Sequence, residues 1–104
     1  MNSSVGLAAS ATLGPYAATQ HALKALADAL RAEVNAAGVR VLSVYPGRTA
    51  TALMLARFSM EGRAYRPELL LQPEDVANVV ISSLALPRTA EVTNINIRPM
   101  VKSY

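Results

Sequence analysis

Gly38-Val39-Arg40-Val41-Leu42-Ser43-Val44-Tyr45-Pro46-Gly47 is the stretch that decides how this chain folds. Val39 to Tyr45 is β-branched and largely apolar, which reads as a strand covered on both faces, as in a parallel sheet, and Pro46-Gly47 cuts it off. Gly38 is the residue type that ends a helix, and residues 16–37 before it carry a helical pattern. Leu23, Leu26, Ala27, Leu30, Val34 and Ala37 recur at steps of three and four, with Lys24, Asp28, Arg31 and Asn35 on the other side. Abundant alanine raises helix propensity, and Pro15 suits a first turn, where its missing N–H costs nothing. The leucine stripe reads as core packing.

Downstream, Gln72-Pro73-Glu74-Asp75 opens a second helix, with proline at its first position and two acids where the helix dipole favours them. Its apolar stripe is Val76, Val79, Val80 and Leu84, closing near Pro87. Glu91 to Ile97 alternates, a strand signal. The irregular segment 48–71, with its apolar patch Leu53, Met54 and Leu55, is expected to hold a short helix and a mobile excursion. Asn2 to Gly6 suits the end of a strand entering a loop, Leu7 to Gly14 a connection within the domain, and Arg98 to Tyr104 a peripheral tail. The order stub, helix, strand, helix, strand implies an α/β layered fold with parallel strands and right-handed crossovers. Two strands and a stub cannot protect both faces and both edges of a sheet. Residues 1–104 therefore read as a single partial domain, the carboxyl-terminal part of a doubly wound parallel sheet whose first half is absent.

The totals narrow the function. A chain of 104 residues, 52% hydrophobic and 16% charged, is too apolar for disorder and carries an apolar excess that suits a partner surface. Its net charge of +3 comes from scattered lysines and arginines, with no basic run or basic–aromatic interleaving, so nucleic acid is not an expected partner. The absence of cysteine excludes disulfides and thiolate metal sites. His21, the one histidine, reads as a helix residue and not as a metal ligand. No apolar run approaches the roughly 18 residues of a membrane span, and Met1 to Ser4 has no leader character. The expected location is the cytoplasm.

The candidate chemistry lies between Ser3 and Gln20. Ser3-Ser4-Val5-Gly6 places a serine thirteen residues ahead of Tyr16, which opens the long helix, and Gln20 stands one turn further along. Side chains four apart share a helix face, so Tyr16 and Gln20 point into one space. Taken with His21-Ala22-Leu23, Val41 to Gly47 followed by Thr51, and Pro73-Glu74-Asp75-Val76-Ala77, this ordered set resembles the classical short-chain dehydrogenase/reductases over nearly the whole chain, in their carboxyl-terminal half. The resemblance implies a Rossmann-type domain that binds NAD or NADP and moves hydride between the cofactor and a small alcohol or carbonyl. It implies that Tyr16 is the acid/base and that Ser3, or Ser4 if the register differs by one, bonds the substrate oxygen. Pro46, Gly47 and Thr49 match the turn that meets the nicotinamide carboxamide, and Thr51 ends that motif. Met54 and Phe58 fall in the family's variable substrate region, as pocket walls or as a local apolar patch.

Two departures stand against this background. Gln20 occupies the position of the family's lysine, and a neutral amide cannot lower a phenol's pKa by Coulombic attraction. The glycine-rich turn that cradles a dinucleotide pyrophosphate has no counterpart among glycines 6, 14, 38, 47 and 62. Weak or absent activity of the chain by itself is therefore expected. The family also implies homo-oligomer contacts through helix 16–37, by the small-residue face opposite the leucines. The alternative reading is a non-catalytic α/β remnant that pairs through this helix with a full-length relative, and a third is a fragment without independent function.

Overall fold

The computed structural model describes residues 1–101. Five elements of regular structure matter: α1 (Gly14–Val34), β1 (Ser43–Pro46), α2 (Ala52–Met60), α3 (Pro73–Leu84) and β2 (Asn94–Ile97). The two strands pair in parallel, Ser43 opposite Asn94 through Pro46 opposite Ile97, as the buried run in the sequence requires. Short 3-10 turns at Ser4–Gly6, Asn35–Ala37 and Pro67–Leu69 complete the order.

The helix boundaries follow their residues. Pro15 stands in the first turn of α1, and the helix tightens into the 3-10 turn before Gly38, whose φ of +77° is the left-handed stop that glycine takes without a Cβ clash. At α3 the N-cap residue is Gln72, whose N–H bonds Asp75 at 2.8 Å, with Pro73 at the start and Glu74 and Asp75 in the first turn. Thr51 caps α2 by accepting from the Met54 N–H at 3.2 Å. The 48–71 segment contains this helix, and it is closed at its base where Thr49 and Leu71 form a parallel bridge.

Both strands are shorter than the sequence suggests. Ladder pairing starts only at Ser43, because side chains claim the backbone groups before it. The Val41 N–H goes to Glu91 Oε2 at 2.9 Å and the Val41 carbonyl to Arg31 Nε at 2.9 Å. The core on one side of β1 is small: Val44, Leu71 and Val76, with Leu42, Val80, Ile95 and Ile97 packed around them. The tail is not wholly peripheral, since Pro99 is buried; residues 102–104 of that expected tail lie outside the described residues. A radius of gyration of 15.4 Å exceeds the roughly 13 Å of a closed domain of this length.

The largest correction concerns α1. The leucine stripe is not core: Leu26 is 69% and Leu30 47% exposed, and only Ala17 of this helix is buried. The polar side faces the strands instead. Arg31 donates to the carbonyls of Val41 and Thr93, both at 2.9 Å, to Ser43 Oγ at 3.3 Å and to Asp28 at 2.9 Å. One guanidinium thus spends its rigid set of donors on a helix neighbour and on the segments leading into both strands. Hydropathy separates the two faces of a helix, but it does not say that a cation will out-compete leucine for the strand side. No helix among the described residues is long and apolar enough to cross a membrane.

Two outcomes are expected. Arg31→Ala strands the Val41 carbonyl, while that of Thr93 keeps the Ser43 N–H, and should lower stability by about 1–3 kcal/mol in urea unfolding, whereas Leu26→Gln should be near neutral. Hydrogen bonds from Val41 and then Asn35 hold the Glu91 carboxyl below its ordinary value of 4.5, and bonds from Lys24 and Arg31 hold Asp28 below 3.8. A depressed folded-state pKa means stability that is present above the unfolded value and lost as pH falls toward the folded one. The unfolding midpoint should therefore drop as pH falls below about 4.5, and Glu91→Gln should remove part of that drop.

Candidate active site

The site is organised by a residue that the sequence marks only as the end of a strand. Asn2 is buried, its N–H bonds the Val44 carbonyl at 2.7 Å, and its side-chain Nδ2 donates to the Gln20 carbonyl at 3.0 Å. Its Oδ1 accepts the Ser3 N–H at 2.7 Å. One side chain therefore ties the Ser3 turn to α1 at Gln20, while the backbone beside it is held by β1. Gly6 belongs to the same arrangement: a Cβ there would lie 2.4 Å from Asn2 Oδ1. In place of a strand stub, this first segment makes a single backbone bond to β1 and turns at once into Ser4–Gly6.

Ser3 caps that turn in extended conformation, its Oγ accepting from the Val5 N–H at 3.4 Å. A hydroxyl that accepts in this way keeps its own proton to donate. Tyr16 lies in the first turn of α1, 47% exposed, with its carbonyl bound by Thr19 Oγ1 at 2.7 Å. Gln20 is half-buried on the same helix face, its backbone held by Asn2. The nearest lysine along this face is Lys24, one turn beyond Gln20. Its ammonium lies 2.7 Å from Asp28 Oδ2, a bond that raises its pKa, so it points away from the Tyr16 end. His21 bonds the Ala17 carbonyl at 2.7 Å through Nδ1, a local helix contact.

The Pro46–Gly47 turn leaves β1 at its carboxyl end. The Gly47 N–H is spent on the Ile97 carbonyl at 2.8 Å, and the space a Cβ would need is taken by Arg98 and Pro99. Thr49 Oγ1 donates to the Gly47 carbonyl at 3.1 Å. Thr51, exposed, accepts from Met54 and so retains its hydroxyl proton for an outside acceptor. The polar groups that this turn can still offer a carboxamide are thus threonine hydroxyls more than the Gly47 amide. Beyond it, Phe58 is buried under Tyr65, edge-on at 5.9 Å, with the guanidinium of Arg48 at 5.1 Å and that of Arg63 at 5.2 Å from its ring centre. Phe58 is the centre of a local cluster and not an open pocket wall; Met54 is half-buried.

Comparison with known proteins gives likenesses in sequence and in fold. The model of the short chain dehydrogenase family matches residues 1–62. The uncharacterized short-chain type dehydrogenase/reductase y4eK of Sinorhizobium fredii is 32% identical over 100 residues, covering 93% of this chain and 40% of that protein. Glycine betaine reductase ATRR of Emericella nidulans is 37% identical over 91 residues, covering 84% of this chain and 7% of the relative. The closed form of serine dehydrogenase complexed with NADP+ superposes with a TM-score of 0.77 at 22% identity, over 99% of this chain and 44% of that one. The chain therefore spans two fifths or less of the length of these curated relatives.

Removing the Asn2 tie should be visible without any assay of chemistry. Asn2→Ala leaves the Ser3 N–H without its acceptor and removes the side-chain bond to the Gln20 carbonyl, which keeps its helix bond, and should cost about 1–3 kcal/mol. Hydrogen exchange should accelerate at Ser3 to Gly6 and not at β2. Gly6→Ala should produce the same exchange signature by displacing Asn2.

Proposed function

The chain belongs to the short chain dehydrogenase family, and from that premise we propose that its residues form the proton-transfer side of an NAD- or NADP-dependent oxidoreductase interconverting an alcohol and a carbonyl. The observation that carries the reading is the Asn2 tie, which holds the Ser3 turn against the Tyr16–Gln20 helix beside the carboxyl end of β1. Open α/β sheets receive their ligands outside the carboxyl ends of the strands.

A bound nicotinamide supplies or accepts the hydride. In the reducing direction Tyr16 gives its phenolic proton to the substrate oxygen, and Ser3 donates a hydrogen bond to the same oxygen, its other partner being the Val5 N–H. Thr51, with its unspent hydroxyl proton, and Thr49 are the side chains placed to bond the nicotinamide carboxamide at the Pro46–Gly47 turn. The pyrophosphate has no such holder: these 104 residues contain no glycine-rich turn. The proposal therefore makes a glycine-rich half a requirement, whether it is carried by the same polypeptide or by another.

Gln20 sets the level of activity. A neighbouring positive charge makes a phenol a better base, but Gln20 brings no charge, and Lys24 is committed to Asp28. Proton transfer at Tyr16 should accordingly be slow, and little activity of the chain by itself is expected. The exposed leucines of α1 favour a second reading, association through this helix with another copy or with a full-length relative; the face involved is then Leu23, Leu26 and Leu30, not the small-residue side.

Titration of the 104-residue chain with NADH and NADPH, followed by fluorescence, should show no saturation at micromolar cofactor; tight binding would overturn the requirement for a glycine-rich half. With that half supplied in a chimera, Gln20→Lys should raise turnover at neutral pH by orders of magnitude and Tyr16→Phe should abolish it. No activity in the Gln20→Lys chimera on a broad alcohol and carbonyl panel would sink the assignment of Tyr16. Sedimentation tests the second reading: a strict monomer at high concentration contradicts association between copies through α1.

A further inference from the structure

Tyr45 is wholly buried, 1% exposed, and its hydroxyl has no hydrogen-bond partner among the described residues. A phenol O–H withdrawn from water is costly unless a neighbour can turn to meet it. Side chains alternate along β1. Val44 lies in the core with Leu71 and Val76, while Ser43, two residues before Tyr45, meets Arg31 of α1 through its Oγ at 3.3 Å. Tyr45 therefore lies on the α1 side of the sheet.

The direction of α1 decides which helix residues stand over it. Arg31, late in the helix, sits where β1 begins, and the Gln20 carbonyl, earlier in the helix, is joined through Asn2 to the Val44 carbonyl. α1 thus runs antiparallel to β1, and its residues from Ala17 to Lys24 cover the carboxyl end of the strand. Ala17 is buried there, and Gln20 and Lys24 are half-buried on the same stripe. Tyr45 is close enough for Lys24 to feel it: the lysine pKa is raised chiefly by Asp28, with Tyr45 adding to the effect. The bond that Asn2 makes to Gln20 is to the backbone carbonyl. It leaves the Gln20 side-chain amide uncommitted, an acceptor at one end and a donor at the other.

We infer that Tyr45 is the positioning residue of Gln20: its hydroxyl donates to Gln20 Oε1 when the half-buried amide turns inward, and this directs Gln20 Nε2 toward the space shared with Tyr16. Residue 20 then offers a bound molecule N–H donors and no acceptor, which suits a hydroxyl or carbonyl oxygen and disfavours a group that can only donate. The use of that donor at the Ser3–Tyr16 site rests on the proposed function; the orientation of the amide does not.

The test is a double-mutant cycle on the 104-residue chain, without nicotinamide, read by urea unfolding and by NMR. Tyr45→Phe keeps the ring and its packing and removes only the hydroxyl. With Gln20 present it should lower the folding equilibrium constant about fivefold. With Gln20→Met already in place the same substitution should raise that constant, because the hydroxyl then has no partner to lose. In NMR spectra Tyr45→Phe should shift the Gln20 side-chain NH2 pair and leave the Asn2 pair in place, which a loss of packing alone would not do. A folding constant changed equally in both backgrounds, raised by Tyr45→Phe with Gln20 present, or coupled to Lys24→Met in place of Gln20→Met would overturn the inference. So would a Gln20 NH2 pair that does not move. Because no cofactor is present, failure of the oxidoreductase activity leaves this result intact, and loss of the coupling leaves that activity standing.

Discussion

Arg31 is the constraint on which the structure depends. Its side chain, 14% exposed, binds the Val41 and Thr93 carbonyls and Ser43 Oγ. It thereby fixes α1 against the places where β1 and β2 begin. With two strands and a core centred on Val44, Leu71 and Val76, burial of apolar area is a modest source of stability, and directional bonds to strand carbonyls carry more of the load than in a larger domain. The same bonds fix the rotation of α1 about its own axis. That rotation sends Leu26 and Leu30 outward and directs Arg31 to the strands, and it puts the Gln20 carbonyl within reach of Asn2.

From Arg31 the candidate site follows by short steps. α1 positions Tyr16 and Gln20, β1 holds the Asn2 backbone, and the Asn2 side chain joins the two while anchoring the Ser3 N–H. The turn after β1 brings Gly47, Thr49 and Thr51 to the same end of the sheet. Among the described residues, Gln20 brings no charge to the Tyr16 face of α1, and Lys24 is tied to Asp28.

Much of this was legible in the sequence, for identifiable reasons. The stops at Gly38 and Pro46, the helix openings at Pro15 and Pro73, and the alternation near Ile95 and Ile97 are local signals, and local backbone geometry obeys them. The rotation of α1 was not legible, because hydropathy separates faces but cannot reveal bonds between residues far apart, such as Arg31 and Thr93. The strand lengths failed for the same reason: Glu91 and Arg31 take the backbone groups of Val41 that a ladder would have used. Asn2 was missed as a site residue because nothing in its own neighbourhood discloses that Gln20 and Val44 will be its partners. Pro99, expected to be peripheral, is buried where it fills the space beside Gly47.

The central claim is that Tyr16 transfers the proton in a hydride exchange at this site. The most direct measurement uses a domain that contains these residues together with a glycine-rich half, given reduced nicotinamide deuterated at its transferable position and a carbonyl acceptor. The account predicts deuterium on the carbinol carbon of the product, lost in Tyr16→Phe. Deuterium transfer undiminished in Tyr16→Phe, or none to any acceptor even with lysine substituted at Gln20, would contradict it.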